Sequence, residues 1–104
     1  NKKQQLTLPT NDFLLAVSAD NYIEIFYLGN QSLEKTLLRC TLKELEKQFQ
    51  NFPFQRCHRS FFININQIKL VKKSGQKVEL VLHHIERSIP ISKKYQEYFK
   101  SYFQ

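Results

Sequence analysis

Three histidines, two cysteines and a few cations on turns are the residues of this 104-residue chain that could do chemistry. His58, His83 and His84 could act as acid–base groups, but no Asp or Glu stands at an obvious catalytic spacing from any of them. Cys57 and His58 are adjacent, and neighbours in an extended segment point to opposite faces, so the pair is badly placed to share a metal ion. As nucleophile and base they would also need an orienting group and an oxyanion hole that the sequence does not announce. With only Gly29 and Gly75, no glycine-rich loop can cradle a phosphate. The chain is expected to be no enzyme and to use no cofactor and no metal.

What remains is a set of basic and polar side chains on turns: Asn21, Arg56, His58, Arg59, Lys93 and Lys94. Arg can grip guanine O6 and N7 with two bonds, Asn can do the same for adenine, and Lys neutralises phosphates. The charge balance points the same way. Residues 1–50 hold six Lys/Arg and six Asp/Glu, whereas residues 51–104 hold ten against three, so the whole excess of +7 lies in the second half. One-sided basic charge suits a polyanion, either nucleic acid or an acidic membrane surface. Scattered surface charge is the competing explanation, and composition alone leaves both open.

The elements that must position these residues are mostly strands. Residues 1–10 are a polar lead-in or linker, closed by the turn-forming run Pro9-Thr10-Asn11-Asp12. Phe13 to Val17 is an apolar run suited to a buried strand, and Ser18 to Asn21 a turn. Tyr22 to Leu28 is β-branched and aromatic, Gly29-Asn30 supplies turn chemistry, and Leu33 to Cys40 returns as the next strand. Thr41-Leu42-Lys43-Glu44 fits a helix capping box, and Leu42, Leu45, Phe49 and Phe52 follow at helical spacing until Pro53. Further strands are expected around Phe61 to Asn64, Ile68 to Val71, Val78 to Leu82 and Ser88 to Ile91, with Pro90 on an edge. Tyr95, Tyr98, Phe99, Tyr102 and Phe103 then repeat at i, i+3, i+4, i+7 and i+8, which predicts a C-terminal helix with one aromatic stripe and Ser92 at its N-cap.

The fold class is therefore mainly β, with roughly seven to ten short strands and two helices. At 104 residues, 41% hydrophobic and 24% charged, the chain has the size and composition of one domain. Its longest apolar run, Phe13 to Val17, has five residues, far short of the roughly 20 of a membrane helix. Two cysteines in such a composition point to reduced, buried thiols and a cytoplasmic setting. The opening Asn1-Lys2-Lys3, without Met, fits a piece of a longer protein.

The segment Phe54-Gln55-Arg56-Cys57-His58-Arg59-Ser60-Phe61-Phe62-Ile63-Asn64 resembles the signature of the LytTR DNA-binding domain of bacterial transcriptional regulators. Three further segments match in order: Ala19-Asp20-Asn21-Tyr22-Ile23, Thr41-Leu42-Lys43-Glu44-Leu45-Glu46, and Ile89-Pro90-Ile91-Ser92-Lys93-Lys94-Tyr95. The resemblance covers about residues 10–100. It implies an elongated fold of short, mostly antiparallel strands with one central and one C-terminal helix. It also implies loops that enter successive major grooves of double-stranded DNA. Members commonly sit C-terminal to a receiver or membrane module in response regulators of two-component systems, and bind promoter direct repeats as dimers. Carried over by position, the DNA-binding residues are Asn21, Tyr22, Arg56, His58, Arg59, Lys93 and Lys94, with no membrane contact by the domain itself. Lys93 stands where members more often carry Arg, which keeps the charge but loses the planar fork. Within the fold, Arg56 fits an internal ion pair equally well, His58 fits a packed, hydrogen-bonded position, and Tyr22 fits the core.

Overall fold

The computed structural model describes residues 9–103. Most of the lead-in expected over residues 1–10 lies outside them. A 3-10 turn at Thr10–Asp12 leads into β1 (Phe13–Ala19), β2 (Tyr22–Gly29) and β3 (Ser32–Leu38). Helix α1 (Leu42–Gln48) follows, then β4 (Phe54–His58) and β5 (Phe61–Asn64). After a 3-10 turn at Ile65–Gln67 come β6 (Ile68–Ser74), β7 (Lys77–Leu82), β8 (Ile89–Pro90) and the short α2 (Lys93–Gln96).

The strands form a five-stranded sheet, β3-β2-β1-β5-β4, and a three-stranded sheet, β6-β7-β8, with every strand pair antiparallel. The mainly β fold class is thus correct, and extents of 47 × 28 × 24 Å make the molecule elongated. Tight turns account for the hairpins. Asn30 and Gln31 both hold positive φ (53° and 69°), as a two-residue turn matched to strand twist requires. Asp20, at φ 58°, turns β1 into β2.

The central strand β1 separates two apolar cores. Ala16 and Phe62, paired across β1 and β5, face α1 with Ile23, Ile25, Leu42 and Leu45. Leu15 and Val17, paired with Ile63 and Phe61, face the second sheet with Leu80, Ile89 and Phe99. An irregularity between Phe13 and Leu15 lets Leu14 and Leu15 both enter that second core. Burying a side chain such as Phe62 contributes roughly 1.5–3 kcal/mol. Fully buried Asn64 closes this region: its Nδ2 donates to the carbonyls of Phe13 (2.8 Å) and Thr10 (3.3 Å), and its Oδ1 accepts from the Asn66 amide (2.9 Å).

Two helical expectations are corrected. The capping box at α1 is present, with Thr41 Oγ1 accepting from the Glu44 amide and Glu44 Oε1 from the Thr41 amide. The helix nevertheless ends at Gln48, and Phe52 sits exposed in the following turn, its ring 5.3 Å from Phe49 and 5.6 Å from Phe54. Pro53 disfavours helical backbone at residue 52, and the turn has to deliver Phe54 into β4. The C-terminal helix is α-helical only over Lys93–Gln96 and tightens to 3-10 over Glu97–Tyr102. At three residues per turn Phe99 and Tyr102 stay over the core, while Tyr98 swings out to 49% exposure. Ser92 is the N-cap residue, but its side chain makes no capping hydrogen bond.

Candidate nucleic-acid interface

Two backbone connections bring the turn residues to one end of the five-stranded sheet. β1 runs antiparallel to β5, so the turn after Ala19 and the turn before Phe61 meet, and the Ser18 amide donates to the Ser60 carbonyl at 3.0 Å. The Ser92 amide donates to the Cys57 carbonyl at 2.9 Å, which fixes the start of α2 against β4. Asn21, Arg59, Lys93 and Lys94 are exposed there. Among the described residues, the side chains of Asn21, Arg59 and Lys93 have no hydrogen-bond or ion-pair partner. Lys94 Nζ lies 5.4 Å from the ring centre of Tyr95, and Tyr22 is 39% exposed rather than core.

Arg56 takes the internal position. Its Nη1 donates to Glu46 Oε1 on α1 (3.0 Å), its Nη2 to the Arg59 carbonyl (3.0 Å) and its Nε to the His58 carbonyl (3.3 Å). The guanidinium side chain is only 14% exposed. His58 is half-buried, its Nδ1 accepting from the Ser60 amide at 3.0 Å and its ring edge-on to Phe61. Burial first, then the charges of Arg59 and Arg56, lowers its pKa below the ordinary imidazole value. The neutral ring keeps Nδ1 free to accept, which places the proton on Nε2.

Two arginines outside the sequence-derived set lie at this same end. Arg39 stands 5.9 Å from the ring centre of Tyr22, and Arg87 stands 5.2 Å from that of Phe61. Both pairings join residues far apart in the chain, so no local spacing signals them. Lys93 also has unexpected company: with Lys73, Gly75, Gln76 and Gln96 it lines a shallow depression against the β6–β7 hairpin. Lys72, next along the strand, donates instead to Ser88 Oγ at 3.1 Å.

Neither cysteine is paired. Cys57 is fully buried and burial pushes its thiol up to about 12; Cys40 is only half-buried, which corrects the expectation that both are buried. Among the described residues, no group of three or more His, Cys, Asp or Glu could hold a metal ion, and no helix is long and apolar enough to cross a membrane.

Comparison with known proteins identifies the family and the fold. The family model described as the LytTr DNA-binding domain matches residues 3–104. An uncharacterised response regulatory protein of Vibrio cholerae is 30% identical over 95 residues, 89% of this chain and 35% of its own length. The sensory transduction protein LytT of Oceanobacillus iheyensis is 27% identical over 93 residues, 88% of this chain and 37% of its own. The chain thus spans about a third of the length of these curated relatives. A solved LytTr DNA-binding domain, from a Bacillus cereus protein described as a methyl-accepting/DNA response regulator, has the same fold. Its TM-score is 0.75 at 23% identity, over 90% of this chain and 83% of that one. This chain belongs to the LytTr DNA-binding domain family.

Proposed function

We propose that the domain is the output module of a bacterial transcriptional regulator and reads double-stranded DNA with three loops rather than a recognition helix. The loops are the Asp20-Asn21 turn with Tyr22, the turn around Arg59, and the start of α2 with Lys93 and Lys94. The observation that carries this reading is the joining of all three at one end of the sheet, with Arg59 and Lys93 exposed and unpaired among the described residues. Arg59 reads a base edge in the major groove, and Lys93 and Lys94 neutralise phosphates. Arg56 and His58 serve the interface by shaping the middle turn.

On a promoter, two copies occupy adjacent direct repeats as a dimer formed through the full-length protein, in the cytoplasm and without membrane contact by this domain. A single-strand stacking platform is less well supported. The exposed large aromatics among the described residues, Tyr22, Phe52 and Tyr98, lie on three separate elements instead of one sheet face. Selection of bound fragments from random duplex DNA tests the proposal. An enriched repeated motif is expected, and affinity should fall with salt at a slope near −4 to −5 in log–log form for about four to six phosphates neutralised. Absence of enrichment, or a slope near zero, would refute it.

A further inference from the structure

We infer that Glu46, on the outer face of α1, is a positioning residue for the Arg59 turn and acts through Arg56. The inference rests on the DNA-reading role proposed above. β4 and β5 pair regularly through Arg56 and Phe62, then slip by one residue so that His58 faces Phe61. Beyond that slip the two turn residues, Arg59 and Ser60, are closed by the His58–Phe61 pair and by the Ser18–Ser60 backbone bond, and side chains add further ties. Arg56 donates to both of its carbonyls, those of His58 and Arg59, while His58 Nδ1 receives the Ser60 amide. The guanidinium is oriented in turn by the Glu46 carboxylate at 3.0 Å. A planar fork with fixed donor directions can serve three acceptors at once only if all three stay in place.

Two consequences separate this role from that of an ordinary surface ion pair. The Arg56 charge is matched by a carboxylate, so the cation offered to DNA by this turn is Arg59. The turn is also ordered before DNA arrives, which lowers the cost of binding for the matching sequence. Were Arg56 itself to swing out to a phosphate, Glu46 would be a competitor, and its removal would tighten binding to every duplex.

Glu46→Ala, Glu46→Gln and Arg56→Lys can be compared with the parent on the selected duplex and on a scrambled one, with melting curves to confirm folding. Glu46→Ala is expected to lose about ten-fold on the selected duplex and less than about two-fold on the scrambled one, as lost preorganisation would. Glu46→Gln, whose carboxamide oxygen can still accept, should restore most of the discrimination. Arg56→Lys should behave like Glu46→Ala. Discrimination equal to the parent's in Glu46→Ala, or tighter binding to both duplexes, would overturn the inference. Failure of the parent to discriminate would instead strike the DNA-reading proposal. Hydrogen exchange at the Ser60 amide then decides the positioning role alone: faster exchange in Glu46→Ala supports it, and unchanged exchange overturns it.

Discussion

The Ser92 amide donates to the Cys57 carbonyl, and through that one bond the start of α2 is held beside the turn that carries Arg59. Lys93 follows Ser92 and Arg59 lies two residues beyond Cys57, so the backbones that carry the two exposed cations are joined at one corner. Their different side chains give them separable roles.

Arg59→Ala should leave thermal stability within about 0.5 kcal/mol of the parent, because the side chain is exposed and its backbone carbonyl, which Arg56 uses, remains. The same change should cost about 1–3 kcal/mol on the specific duplex and flatten preference at one base position. Melting curves and isotherms on specific and scrambled duplexes check both parts. An unfolded variant would make Arg59 structural.

Lys93→Ala should weaken specific and scrambled duplexes about equally and reduce the salt slope by about 1. Lys73→Ala should act in the same sense, since Lys73 lines the same depression, whereas Lys72→Ala, turned toward Ser88, should change little. Salt titrations of the three variants measure this, and equal losses for Lys72 and Lys73 would contradict it.

Asn64→Ala should destabilise the fold by about 2–3 kcal/mol, since it strands the buried Phe13 carbonyl and the Asn66 amide together. Asn64→Asp should also destabilise, because a carboxylate cannot donate to a carbonyl. Denaturant titration gives the magnitude, and a loss below about 0.5 kcal/mol would mean that water replaces the side chain at no cost.

Stability should fall as the solution is acidified through the range of His58. Its folded pKa lies below the unfolded value of about 6.5, so the neutral form is favoured in the fold. That contribution is fully present above the unfolded pKa and is lost as pH falls through the lower folded value, where a proton on Nδ1 ejects the Ser60 amide. Melting temperatures from pH 7.5 down to 5 should drop more for the parent than for His58→Gln. Parallel curves would assign the acid sensitivity to other groups.

What the amino-acid sequence determined by itself was local. The alternation of β-branched and aromatic residues marked the strands, Thr41 and Glu44 three apart marked the helix start, and four ordered motifs marked the family. These signals rest on contacts within a few residues, where backbone geometry follows directly from side-chain type. Tertiary structure alone decided the rest. Arg56 could have faced solvent or Glu46 until α1 was laid against β4. The aromatic tail read as one helix until packing tightened its last turns and released Tyr98. Arg39 came over the ring of Tyr22 through the pairing of β2 with β3, and Arg87 came over that of Phe61 through the packing of one sheet on the other. Which face a cation presents depends on partners many residues away, and strand register, not spacing, sets those partners.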